Sequence, residues 1–123
     1  MRLKKEHKKI VDHMEKDLGF IPETLQVIKE VCPDYLKVVK LVDEVLFRDG
    51  AIDAKTKRLI AVAVVAATQC VDCVDAQVQA ALNKGATLQE IVEALGVAVA
   101  TAGVPALSSS KRALRMAKEL TKK

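Results

Sequence analysis

The sequence predicts an all-α protein, and three observations support this prediction. Apolar residues recur at intervals of three and four along most of the chain, rather than at the interval of two that a strand requires. Glycine and proline stand between these periodic segments, where helices end or begin. Residues 59–67, LIAVAVVAA, are apolar on every side, which is typical of a buried helix. We expect six to seven helices in all.

The N-terminal half contains three predicted helices. The first lies between Lys4 and Leu18 and ends at Gly19. The second starts at Pro22, whose fixed φ suits the first helical position, and ends at residues 32–33. The third covers about residues 34–47. The side chains expected to face the core are Leu25, Ile28 and Val31 in the second helix, and Leu36, Val39 and Val42 or Leu46 in the third.

Capping signals define the helices of the C-terminal half. Asp53 is placed to cap a fourth helix, and Gly85 stands just past the end of a fifth. Thr87 and Glu90 have the spacing of a capping box at the start of a sixth. The predicted bounds are 53–68, about 72–85, 87–103 and, for a basic last helix, about 108–120.

Length and composition indicate one domain, residues 1–123, with an N-terminal helical half (4–48) and a half that contains a cysteine pair (53–120). Half of the residues are hydrophobic, which is enough for a core. The net charge of +4 comes mostly from the two chain ends, which we interpret as solvated surface. With 2% aromatic residues, the chain lacks stacking platforms for nucleic acid. No signal peptide or membrane span is predicted, so we expect a cytoplasmic protein without membrane or nucleic-acid partners.

Cys70 and Cys73 form a C-x-x-C pair at the junction between the fourth and fifth predicted helices. The unpaired amides and positive dipole end of a helix favour the thiolate form of a cysteine in its first turn. Two intervening residues allow one thiol to resolve a sulfenic acid or mixed disulfide on the other. We therefore predict a redox pair with a reversible disulfide, while Cys32 stays reduced and buried.

Other interpretations of the pair are open on the residues alone. Buried cysteines occur by chance in cores rich in Val and Ala. A zinc site would need further ligands from Cys32, His7 and His13, which lack ligand spacing of their own. A thioredoxin fold is disfavoured because no strand precedes the pair. We expect no metal and no cofactor.

The segment TKRLIAVAVVAATQCVDCVDAQVQAALNKGATLQEIVEALGVAVATAG resembles the alkylhydroperoxidase D and carboxymuconolactone decarboxylase-like family. The preceding GFIPETLQVIKEVCPDYLKVVKLVDEVLFRDGAIDAKT is similar to the N-terminal half of that family, so the resemblance covers roughly residues 19–110. Its most specific part is the order of an apolar helix, the cysteine pair, a helix closed by glycine, and Thr-x-x-Glu. The resemblance implies an AhpD-like helical domain and a homo-oligomer, a trimer or hexamer.

The resemblance also implies roles for site residues. In the family's peroxidase members the second cysteine, matching Cys73, attacks the peroxide, and the first, matching Cys70, is its disulfide partner. A Glu twelve residues before the first cysteine and a His four residues after the second relay protons. Here Arg58 and Gln77 occupy those positions, and neither titrates near neutral pH.

The implied activity is that of a peroxiredoxin-type thiol oxidoreductase with weak peroxidase activity. Its substrate would be a small hydroperoxide or a disulfide, and an external thiol would supply electrons. The alternative is a catalytically weak or inactive helical oligomer of the family that serves as a binding or scaffold protein. Decarboxylation of a lactone acid is not expected, because that branch of the family lacks the cysteine pair in its standard form.

Charged residues around the pair would influence its thiols. Asp72 and Asp75 are expected to cap the first turn of the fifth helix, and carboxylates beside a thiolate disfavour its ionised form. Arg58 would favour the thiolate if it lies nearby.

Two predicted helices, around residues 59–67 and 91–102, are apolar nearly all the way round. A chain of this size cannot easily enclose both, so part of their surface should meet another subunit. Coverage by the basic first and last helices within one chain is the alternative.

Overall fold

A computed structural model describes residues 3–122, and it confirms the all-α prediction: these residues form eight helices and no strand. Residues 1, 2 and 123, parts of the basic ends, lie outside the described residues. The helices are α1 (Lys5–Leu18), α2 (Glu23–Val31), α3 (Tyr35–Phe47), α4 (Ala54–Ala67), α5 (Val71–Asn83), α6 (Leu88–Ala102), α7 (Pro105–Ser108) and α8 (Lys111–Leu120). None of the helices in this range has the length and apolar character needed to cross a bilayer.

The chain divides into two compact units, Met1–Asp49 and Gly50–Lys123. In the first, α3 packs against α1 and α2. Its core consists of the buried Ile10, Met14 and Leu36, with Val11, Leu25, Ile28, Val39 and Phe47 packed around them. Gly19 ends α1 in the left-handed conformation (φ 84°).

Three predictions about this unit are wrong in detail. Pro22 is the N-cap of α2 rather than its first helical residue. Val42 is exposed because, at about 100° per residue, it is turned away from the face that Leu36 shares with Phe47. Val31, the last residue of α2, is also exposed, whereas Leu46 is half-buried.

The second unit is built around α4, which packs against α5 and α6. α8 covers α5 and α6, and the single turn α7 packs against α4 and α6. Its core consists mainly of small and branched aliphatic residues: Val62, Ala66, Val74, Val78, Ala81, Ala86, Ile91, Leu95, Ala98, Ala106, Ala113 and Ala117. Such small side chains let the helices approach closely, which fits a chain almost without aromatic residues.

Both predicted N-terminal caps in this unit are confirmed. The Thr56 amide donates to Asp53 Oδ1 (2.7 Å) and lowers the pKa of that carboxyl. Thr87 and Glu90 form the capping box: the Glu90 amide donates to Thr87 Oγ1 (3.1 Å) and the Thr87 amide donates to Glu90 Oε2 (2.9 Å). The Thr87 amide, with Lys55 from α4, lowers the pKa of Glu90.

The predicted last helix starts three residues later than expected, and an additional short helix precedes it. Pro105 begins the one-turn helix α7, and α8 starts only at Lys111. The hydroxyls of Ser109 and Ser110 donate to the carbonyl of Ala106 (3.0 and 2.8 Å), which replaces helical hydrogen bonds between the two segments. This extra turn is the eighth helix that the sequence did not predict.

Candidate redox site

The chain enters the cysteine pair through a Schellman motif at the end of α4. The Gln69 amide donates to the Ala66 carbonyl (3.0 Å) and the Cys70 amide donates to the Val65 carbonyl (3.2 Å). Gln69 is left-handed, with φ 60°, a conformation that side chains other than glycine rarely adopt. The Ser109 hydroxyl donates to the Ala66 carbonyl (3.0 Å) and fixes the same helix end. Cys70 is therefore held at the close of one helix and the start of the next.

The strained residue gives a stability prediction. Gln69→Gly should stabilise the protein by about 1 kcal/mol, because a left-handed residue with a Cβ costs roughly 1–2 kcal/mol, offset in part by glycine's chain entropy. Urea unfolding measures the change. The control Gln69→Ala keeps the Cβ and should show no gain; equal stability of the two variants would contradict the assignment of strain.

Cys70 and Cys73 are joined in a disulfide, with 5.2 Å between their Cα atoms. Cys70 is the N-cap of α5 and Cys73 is its third residue, so both sulfurs lie at the positive end of the helix. Both residues are half-buried, which leaves them accessible to a small reactant. Cys32, in the other unit, is free as predicted, but it is half-buried rather than buried.

Arg58 and Gln77, the two residues at the relay positions, are in direct contact. Arg58 Nη1 donates to Gln77 Oε1 at 2.9 Å, and Arg58 is 1% exposed. Gln77 lies one turn after Cys73 on α5, so the two side chains share a helix face. The two positions therefore hold a permanent cation and an amide in contact, where the resemblance led us to compare them with two titratable groups.

This contact limits the chemistry of the site. A buried guanidinium that binds Gln77, one turn beyond Cys73, contributes a positive charge that favours thiolates over thiols. It cannot give up a proton near neutral pH, and the Gln77 amide cannot either. The pair can therefore support ionisation of a cysteine but cannot supply a proton to a leaving group.

Asp72 and Asp75 do not cap α5, contrary to expectation. Both carboxylates bind Arg112 of α8 instead: Arg112 Nε donates to Asp75 Oδ2 at 2.5 Å, and Nη2 donates to Asp72 Oδ1. Both hydrogen bonds raise the pKa of Arg112, and the bond to Asp72 contributes the larger part. The sequence pattern could not reveal this, because the partner lies 37 and 40 residues further along the chain.

A shallow depression of about 540 Å³ adjoins the pair. It is lined by Gln69 and Val71, which flank Cys70, and by residues of α7 and its approach: Val104, Pro105, Ser108 and Ser109. Val71 and Val104 are 40% and 64% exposed, so the depression has an apolar part beside its polar Gln69 and serine side chains.

The histidines considered as zinc ligands have other partners. His7 is fully buried; its Nδ1 accepts a hydrogen bond from the Lys4 amide (3.0 Å), so Nε2 carries the proton donated to Asp34 (2.8 Å). Lys37 Nζ lies 2.9 Å from Glu6 Oε1 and 3.5 Å from Asp34 Oδ1. Its hydrogen bond lowers the pKa of Glu6, and its ammonium group lies between the carboxylates, where a metal ion would have to bind. The His13 ring packs edge-on against the Phe47 ring, with 4.8 Å between the ring centroids.

Comparison with known proteins identifies the family. The sequence pattern of the carboxymuconolactone decarboxylase family matches residues 33–118, which is more than half of the chain. The chain belongs to the carboxymuconolactone decarboxylase family. This confirms the family to which the sequence was likened, and the cysteine pair lies well inside the matched range.

Three relatives show how far the similarity to other proteins extends. "Uncharacterized protein 4 in cox locus" of Paracoccus denitrificans is 42% identical over 77 residues, 63% of this chain and 69% of that protein. A carboxymuconolactone decarboxylase family protein of Legionella pneumophila, solved in its apo form, is 28% identical, with a TM-score of 0.70 over 97% of this chain and all of that one. A crystallised protein of Burkholderia xenovorans LB400, whose name places it among the carboxymuconolactone decarboxylases, shares the fold: its TM-score is 0.79 at 24% identity, over 92% of this chain and 89% of that one.

Proposed function

We propose that this carboxymuconolactone decarboxylase family protein is a thiol-dependent oxidoreductase that uses Cys70 and Cys73 to reduce small hydroperoxides or disulfides. The observation that carries the proposal is the position of the pair. Both cysteines stand in the first turn of α5, bonded to each other and half-exposed. That end of a helix favours the thiolate, which is the reactive form of cysteine.

For a hydroperoxide, the reaction takes two steps. The Cys73 thiolate attacks the outer oxygen of ROOH; an S–O bond forms, the O–O bond breaks, and the alkoxide takes a proton from water to leave as ROH. Cys70 sulfur then attacks the sulfenic acid on Cys73. The S–S bond forms, the S–O bond breaks, and hydroxide leaves as water with the proton of the Cys70 thiol. An external dithiol returns two electrons and two protons and is itself oxidised to a disulfide.

The contact between Arg58 and Gln77 favours disulfide substrates over peroxides. In thiol–disulfide exchange the leaving group is a thiolate, which departs without prior protonation when its pKa is low. An alkoxide is far more basic and benefits from a general acid, which neither Arg58 nor Gln77 provides. We therefore propose slow peroxide reduction and faster exchange with disulfides at the same pair.

The depression beside Cys70 suggests which hydroperoxides react best. Its exposed Val71 and Val104 would contact the organic group of an alkyl hydroperoxide, and hydrogen peroxide has no such group. Alkyl hydroperoxides should therefore react faster than hydrogen peroxide.

A thiol count on the reduced protein tests the function. One equivalent of tert-butyl hydroperoxide, or of oxidised glutathione in a parallel experiment, should remove two of the three free thiols. Peptide mapping should find Cys70 linked to Cys73 and Cys32 unmodified, because only the first two share a helix start.

Serine variants provide the controls. Cys70→Ser should stop at a sulfenic acid on Cys73, trapped by dimedone, whereas Cys32→Ser should behave as the parent. A disulfide that contains Cys32, or an unchanged thiol count with both oxidants, would rule out the proposed function.

A further inference from the structure

The C-terminal helix α8 contributes one side chain to the redox junction. Arg112 forms hydrogen bonds with both Asp72 and Asp75, which it meets from a different helix of the same unit. Its Nε and Nη2 engage separate carboxylates, so one guanidinium joins two residues of α5. Two charge-assisted bonds to one planar group fix orientation better than a single contact does.

The two carboxylates belong to residues that flank, in sequence, the cysteine that the proposed function makes reactive. Asp72 stands between the cysteines and immediately before Cys73, and Asp75 follows it by two residues. Asp75 is only 22% exposed on its side chain, and its Oδ1 is buried without a hydrogen-bond partner. Solvent therefore screens the charge of Asp75 poorly, whereas Asp72 (92% exposed) and Arg112 (57% exposed) are well solvated. Arg112 is a cation that binds both carboxylates.

The other charged group near this turn comes from α4. Arg58 binds Gln77 one turn beyond Cys73. The helices packed on α5 thus bring two guanidiniums to its N-terminal part, Arg58 from α4 and Arg112 from α8, against the two carboxylates on α5 itself. The third neighbour, α6, carries Glu90 in its first turn, where it is already bound to Lys55 and to the Thr87 amide.

We infer that Arg112 is a positioning residue of the cysteine pair, which holds Asp72 and Asp75 and offsets the negative charge that would otherwise suppress the thiolate of Cys73. The inference rests on the proposed thiol chemistry, but it concerns the ionisation of the reduced pair and not turnover. Without Arg112, two carboxylates within two residues of Cys73 would stand uncompensated, and a negative charge near a thiol disfavours its ionisation. With Arg112 in place, the helix terminus and Arg58 determine how far the Cys73 thiol ionises.

The test is the rate at which iodoacetamide alkylates Cys73 in the reduced protein, measured against pH in a Cys32→Ser background. Arg112→Gln should lower the rate near neutral pH roughly three- to tenfold and move the midpoint of the profile upward by about half a unit to one unit. Arg115→Gln is the matched control, since Arg115 lies one turn further along α8 and should leave the profile unchanged.

A second set of variants separates charge from structure. Adding Asp72→Asn and Asp75→Asn to Arg112→Gln should restore the alkylation rate to within about twofold of the parent, because the carboxylates that suppress the thiolate are gone. Arg112→Lys keeps the positive charge but lacks the planar guanidinium that binds both carboxylates, so it should restore part of the alkylation rate. A slow triple variant would mean that Arg112 only holds α8 in place, and a parental rate in Arg112→Gln would equally overturn the inference.

These outcomes are independent of the proposed function. A protein that fails to reduce hydroperoxides or disulfides can still show the dependence of alkylation on Arg112. If Arg112→Gln does not fold, as judged by circular dichroism, the triple and Arg112→Lys variants decide the matter. In that case a triple variant slower than Arg112→Lys would overturn the inference.

Discussion

Replacing Arg58 by Glu and Gln77 by His together should raise the rate of tert-butyl hydroperoxide reduction about a hundredfold or more. General acid and base groups typically contribute a factor of this size. The side chains of Arg58 and Gln77 already point toward each other, so the new carboxyl and imidazole would face each other across the same pair of helices. The rate is measured as hydroperoxide consumption with dithiothreitol as the external dithiol.

The single variants are the controls for this experiment. Gln77→His alone should gain far less, because Arg58 would disfavour the protonated imidazole that must donate to the alkoxide. Arg58→Glu alone places a carboxyl in a buried position without its titrating partner. No gain in a double variant that keeps its helical circular dichroism would show that these positions do not relay protons to the pair.

Charge introduced between α4 and α6 should dissociate the protein into single chains. A groove of about 390 Å³ runs between these helices, and its walls are almost wholly apolar. Val64 and Val97 line it and are 56% and 60% exposed in the single chain. We propose that a second copy of this chain covers the groove, as the sequence and the family resemblance predict, in a closed trimer or hexamer.

In sedimentation at micromolar concentration, the parent should show three or six times the 13.4 kDa of one chain, and Val64→Glu with Val97→Glu should show that mass alone. Burying unpaired carboxylates in an apolar interface is strongly unfavourable. Val92→Glu is the control, since Val92 lies on α6 with similar exposure (49%) but outside the groove. A parent of 13.4 kDa, or equal dissociation by the control, would contradict this assignment of the interface.

Local signals in the sequence predicted the helices well because caps act over three or four residues. Asp53 and the Thr87–Glu90 box are found where the spacing places them. The failures lie where a partner comes from far along the chain or where burial depends on packing. Val42 fits a helical stripe, yet α1 and α2 use a different face of α3.

The candidate site was predictable in its members but not in its connections. The spacing identifies Cys70, Cys73, Arg58 and Gln77, but it cannot show that the last two touch. Asp72 and Asp75 have the residue types and positions of caps, and only the fold brings Arg112 from α8 to compete for their oxygens. Cys70 occupies the N-cap, so Asp72 and Asp75 lie inside α5, and their carboxylates bind the Arg112 guanidinium instead of the first amides of the helix.

The backbone of Cys70 is held from both directions: its amide donates to the Val65 carbonyl (3.2 Å) and its carbonyl accepts from the Val74 amide (2.9 Å). Neither bond involves sulfur. Opening and closing the disulfide therefore needs only rotation of the two side chains about their Cα–Cβ bonds, while the main chain stays as it is. If the pair acts as we propose, it would exchange its disulfide without loosening the helices that carry it, so each cycle would require little reorganisation of the main chain.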